Sequence, residues 1–173
     1  MANGRNSGLA TTAGLISGCI VHTTLVAFGL SAIIATSPTI FFIIKLLGAV
    51  YLVYLAYSVF KSDATVSLAD GAPKKSYTAL FKQGVMMNIL NPKVTIFFLA
   101  FFPGFLWEPE GNTIYQFYVL GILFMIEAFL IFGGIALLAG SISGYLRKSQ
   151  KIGNILKWVQ IVVFIGIAIF ILI

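Results

Sequence analysis

Phe81-Lys82-Gln83-Gly84-Val85-Met86-Met87-Asn88-Ile89-Leu90-Asn91-Pro92-Lys93 decides how this chain folds. It lies in an apolar region running from Thr78 to Trp107. One straight helix of that length would measure about 45 Å, against about 30 Å for the hydrocarbon core of a bilayer. The region must break, tilt or bend, and Asn91-Pro92 stands near its middle. Proline has no N–H, so the carbonyl of Asn88 loses its helical partner. Asn91, just before proline, is pushed away from helical dihedrals. Carbonyls freed inside a bilayer are costly unless they meet protein, water or ligand. Lys93 follows at once, about 20 Å in from Thr78 at helical rise, too deep for simple snorkelling. A discontinuous helix, two amides and a cation near the midplane suit a carboxylate-bearing solute. The other reading is a structural proline kink with Lys93 paired internally.

The rest of the chain has the same character. Of 173 residues, 60% are hydrophobic and 9% charged, where a soluble domain carries roughly 25% charged residues. Eleven Lys+Arg and five Asp+Glu cannot coat a water-facing surface of this size. A soluble enzyme, a disordered chain and a nucleic-acid binder are excluded. Apolar runs at 11–36, 38–60, 78–107, 114–138 and 158–173, with a polar linker at 61–77, predict an all-α polytopic transmembrane bundle in one domain. Met1 to Gly8 is polar, and the run after it is too long for the apolar core of a signal peptide.

The net charge of +6 is loop charge. Arg5 precedes the first span; Lys61, Lys74, Lys75 and Lys82 separate the second from the third; Arg147, Lys148, Lys151 and Lys157 separate the fourth from the fifth. The turns at Ser37-Pro38 and Glu108 to Asn112 have no Lys or Arg. The positive-inside rule therefore puts the N-terminus inside and the C-terminus outside. The first and fourth spans each carry a row of small residues, Gly14 and Gly18 in one and Ala136, Gly140 and Gly144 in the other, and one ionisable group, His22 and Glu127. Each is followed by another span, and the two pairs start on opposite sides. This inverted plan is common in secondary transporters. Five spans then read as a six-span protein of two inverted three-helix repeats without its first helix.

Glu127, mid-span, should face protein or water. It could pair with Lys93, bind a substrate amine or carry a proton; the other reading is a buried structural ion pair or a protonated carboxyl. His22 either sits in a helix interface with one hydrogen bond or contributes to a pathway. Gly14, Gly18, Gly48, Gly84 and Gly140 read as helix-packing positions, and Lys45 as a residue that snorkels outward. A single cysteine, Cys19, and a single histidine argue against a disulfide, a metal site or a redox pair. No cofactor is expected.

These residues resemble the LysE/RhtB family of bacterial amino-acid exporters. The match runs through Gly4-Arg5-x-x-Gly8, Gly14/Gly18, the block from Lys45-Leu46-Leu47-Gly48 to Ala56, Gly84-x-x-x-Asn88-x-x-Asn91-Pro92-Lys93, Phe97-Phe98 and Phe101-Phe102-Pro103-x-Phe105. The resemblance implies a multi-pass inner-membrane protein of bacteria that exports amino acids or derivatives, lysine, threonine, homoserine or its lactone, on the proton motive force. Partners would be that small solute, lipid and a second copy in a homodimer, with no nucleic acid. Asn88, Asn91, Pro92 and Lys93 would shape the midplane site, with Glu127 and His22 contributing. Family members begin with a further helix carrying Gly-Pro, and Met1 falls where the family has the loop after it. The alternatives are a remnant or assembly subunit that does not transport and, less well matched, a metal exporter.

Overall fold

The computed structural model describes residues 4–62, 75–146 and 150–173, with side-chain surroundings up to 138 and from 151. Every regular element among them is helical: α1 (Arg5–Leu25), α2 (Ser31–Thr36), α3 (Pro38–Lys61), α4 (Tyr77–Ile89), α5 (Pro92–Phe101), α6 (Thr113–Leu146) and α7 (Gln150–Leu172). A π-turn, Val26–Leu30, joins α1 to α2, and a 3₁₀ turn, Phe102–Phe105, extends α5. Several helices run past the apolar stretches of the sequence: α1 begins at Arg5 and α7 at Gln150. The helix ladder thus continues past the apolar run, since polar residues such as Arg and Gln are good helix formers.

The starts follow from local chemistry. Gly4 has φ 84°, a left-handed conformation natural to glycine, and turns the chain into α1. Ser37 is extended and its hydroxyl accepts from Ile40 N, while Pro38 fills the first helical position of α3. Ser76 caps α4 in the same way through Ala79 N. Of the linker expected at 61–77, Lys61 closes α3 and Tyr77 opens α4; residues 63–74 lie outside the described residues.

Among the described residues four of these helical runs are long and apolar enough to cross a membrane, and α4 with the α5 run, bent by 55° at its break, adds a fifth if the pair crosses as one span. The burial pattern is that of a membrane protein. Ser7, Thr12, His22, Thr23, Ser31, Asn88, Thr113 and Gln116 are buried, while large apolar side chains such as Leu47, Leu130 and Val162 stand exposed. Water would punish so much exposed apolar surface; lipid does not.

Helices pack in two groups. α1 lies between α4 and α6, while α3 packs against α7 and α5. One apolar cluster joins Cys19, Val26, Ala27 and Leu30 to Phe98, Phe102 and Phe117; another joins Ala49, Leu52 and Leu55 to Ala100, Ala168 and Ile171. Each group draws helices from both halves of the chain. The closest approaches are made by small residues. A Cβ on Gly14 would strike the backbone carbonyl of Phe81, one on Gly84 the backbone of Thr11 and Leu15, and one on Gly48 the Cβ of Ala100. Gly140 lies on α6 outside the residues whose surroundings are described.

Candidate functional site

The third span stops and restarts. Leu90 leaves α4 with ψ near 2°, and Asn91 is extended. Asn91 then caps α5: its Oδ1 accepts from Lys93 N at 3.0 Å, and its carbonyl accepts from Val94 and Thr95 N. Pro92 occupies the first helical position, where a missing N–H costs nothing. Asn91 therefore spends its side-chain oxygen on the helix start, leaving Lys93 to present its ammonium.

The carbonyl of Asn88, freed by Pro92, finds two donors. Asn91 N closes a tight turn on it at 3.0 Å, and His22 Nε2 reaches it from α1 at 3.2 Å. A carbonyl can only accept, so Nε2 carries the proton and Nδ1 of the neutral ring is bare. The Asn88 side chain points into the same seam, its Nδ2 on Cys19 Sγ at 3.5 Å. Gly18 makes room for it: a Cβ there would lie 2.7 Å from Asn88 Cβ. His22 is 2% exposed and Asn88 7%. Three buried polar atoms among the described residues have no partner: His22 Nδ1, Asn88 Oδ1 and Thr23 Oγ1.

Lys93 and Glu127 are set apart from this seam. Both are exposed, and no ion pair joins them among the described residues. They are nonetheless at one level. Lys93 is one turn before Phe97 on α5, and Glu127 follows Phe124 by three residues on α6, which puts each on the face of its helix that carries the aromatic ring. The Phe97 and Phe124 rings lie 5.7 Å apart. α5 runs toward the 106–112 turn and α6 runs away from it. Both charges thus lie on the side of this ring contact remote from that turn. Phe98 and Phe102 complete the aromatic layer, with Phe98 5.4 Å from Phe124 and 5.5 Å from the His22 ring. The six residues singled out in the sequence therefore separate into a buried junction, His22 and Asn88, a helix start, Asn91 and Pro92, and an open-faced pair, Lys93 and Glu127.

Further polar residues hold this frame and escaped sequence reasoning. Thr113 Oγ1 donates to Ser31 Oγ at 2.7 Å, and Thr24 shares a hydrogen bond with Tyr118 at 3.1 Å, both joining the first span to α6. Gln116, 2% exposed, takes Trp107 N and Glu108 N on Oε1 and donates to Glu108 O. The only hint of this in the sequence was a glutamine just inside an apolar span.

The family model for the LysE type translocator matches residues 1–173. This chain belongs to that family. The translocator is 34% identical over 149 residues to an uncharacterized membrane protein of Vibrio cholerae, covering 86% of this chain and 72% of that one. It is 30% identical, with the same coverage, to the homoserine/homoserine lactone efflux protein of Salmonella typhimurium. It is 34% identical over 138 residues to the uncharacterized membrane protein YrhP of Bacillus subtilis, covering 75% of this chain and 65% of that one. No solved structure matches it. Family and fold together make this a multi-pass inner-membrane transporter, not an enzyme.

Proposed function

We propose that this translocator exports small amino acids and their derivatives, of the homoserine, threonine and lysine type, on the proton motive force. The observation that carries the reading is the level shared by Lys93 and Glu127 beside a broken span. An ammonium at the start of α5 suits a solute carboxylate, with the helix dipole adding to it. A carboxylate across the aromatic contact suits the solute amine. The name of the Salmonella relative points to the same chemical class. The homodimer expected from the sequence would need another face, since Gly14, Gly18 and Gly84 are occupied within the chain.

The substrate pair in that relative's name supplies the test, because homoserine has a carboxylate and an amine and its lactone only the amine. Efflux of both is measured from cells expressing the chain, its Lys93→Met form and its Glu127→Gln form, with membrane insertion checked by blotting. Lys93→Met should lower homoserine efflux by about tenfold or more, the worth of one charge-assisted hydrogen bond, and spare the lactone. Glu127→Gln should lower both. Wild-type homoserine efflux by Lys93→Met would remove the reading.

A further inference from the structure

We propose that His22 is the proton-binding group of this translocator, taking a proton on Nδ1 while Nε2 holds the carbonyl at the helix break. Glu127 is the more obvious candidate in the sequence, but it stands exposed and bonded to nothing among the described residues. His22 is buried and already bonded across the seam to the one carbonyl that Pro92 releases.

The orphaned atoms show what the seam lacks. His22 Nδ1 and Asn88 Oδ1 are acceptors with no donor, and Thr23 Oγ1, on the next residue, is unpaired as well. A buried acceptor without a donor is costly, and a proton is the smallest ligand that the bare ring nitrogen can take. On Nδ1 it turns an acceptor into a donor, makes the ring an imidazolium with two N–H groups, and gives the bond to Asn88 a full charge on its donor side. The imidazolium puts a charge where the bundle is closed. The charged bond to Asn88 tightens the joint between α1 and the end of α4. Occupancy of Nδ1 is thereby tied to how α1 and the break sit against each other.

The titratable groups on elements packed around His22 are few. On its own helix Cys19 lies one turn earlier, bonded to Asn88. Lys82 on α4, Lys93 on α5 and Glu127 on α6 are exposed, and Tyr118 on α6 is engaged with Thr24. From α5 the group facing His22 is the Phe98 ring. None of these groups bonds to His22 among the described residues. The proton that Nδ1 accepts comes from water on one side when the seam opens there, and returns to water on the other.

His22 is the sole histidine, so ¹⁵N-histidine labelling of the full chain in lipid nanodiscs, with a histidine-free tag, reports on it alone. The expected result is the neutral Nε2–H tautomer at high pH and a doubly protonated ring at low pH. A ring that keeps one form throughout, or carries its neutral proton on Nδ1, overturns the proposal. This arm does not depend on the substrate. The coupling arm rests on the export reading and uses homoserine in proteoliposomes. For one proton per solute, each unit of imposed pH difference shifts the accumulation ratio about tenfold. His22→Gln can still donate to Asn88 but cannot titrate, so it should keep solute exchange and lose that shift. A His22→Gln protein with the wild-type shift overturns the proposal. If wild-type protein moves no homoserine, the export reading fails and the tautomer measurement alone decides this one.

Discussion

Replacing Gly14 by alanine tests whether the seam between α1 and α4 sets the position of the break. A Cβ built there meets the Phe81 backbone, 2.8 Å from its carbonyl carbon and 3.0 Å from its Cα, with the oxygen nearer still. Carbon atoms are comfortable at about 3.5–4.0 Å, so the helices must part by about 0.5–1 Å, a gap that forfeits a quarter to a half of each contact along the seam. Backbone cannot swing aside as a side chain can. Such overpacking costs about 1–3 kcal/mol, offset by about 1 kcal/mol because alanine is the better helix former. The net expectation is a loss of up to about 2 kcal/mol. Gly134 and Gly166 are the controls, since a Cβ on either meets nothing within 4 Å. Alanine there should be neutral or gain up to about 1 kcal/mol. Equilibrium unfolding in detergent micelles measures all three. Adding Gly84→Ala, which acts at the same crossing, should cost less than its effect alone, because the first substitution has already parted the helices. A Gly14→Ala protein as stable as Gly166→Ala would refute the reasoning.

Two further outcomes are expected. Gln116→Ala strips partners from Trp107 N, Glu108 N and Glu108 O, and unpaired groups of this kind cost about 1–3 kcal/mol; it should lower the unfolding midpoint and raise hydrogen exchange at Trp107 and Glu108, and unchanged exchange would show that the glutamine does not hold the turn. Cys19 is buried and is the single cysteine, so the wild-type chain is a silent background for an impermeant thiol reagent; a cysteine at Lys75 should react only from inside and one at Asn112 only from outside, and the reverse would overturn the orientation read from loop charge.

The bundle and its break were legible in the sequence because they rest on short-range rules. Apolar length marks spans, and proline removes a donor wherever it falls. Asn91 as the cap of α5 follows from the same local chemistry. What was not legible depends on register between distant helices. The freed carbonyl was foreseen, but that His22, 66 residues away, would fill it depends on Gly14, Gly18 and Gly84 bringing α1 and α4 into near contact. The π-turn at Val26–Leu30 left no sequence mark: its residues are ordinary, and three of them, Val26, Ala27 and Leu30, are buried in the cluster that holds Phe98 and Phe102. Lys93 and Glu127 were each conspicuous, yet their common level emerges only through the Phe97–Phe124 contact.

The 55° bend has a mechanical consequence. α4 is tied to α1, and α5 is tied to α3 by the fit of Ala100 against Gly48. The two ends of one span thus have different main neighbours, although Phe98 and Phe102 of α5 also sit in the apolar cluster with α1, and Leu90–Pro92 is the short covalent joint between them. The segment beyond the joint, Pro92–Phe105, is about 20 Å long at helical rise. It works as a lever arm, so a rotation of about 10° at the joint would carry its far end through about 3–4 Å. That stroke is close to the thickness of one aromatic ring, enough to shift Phe102 off Phe124 on α6, whose centroids lie 5.9 Å apart. A small change of hydrogen bonding at Asn88 would therefore be read out, magnified, at the opposite end of α5.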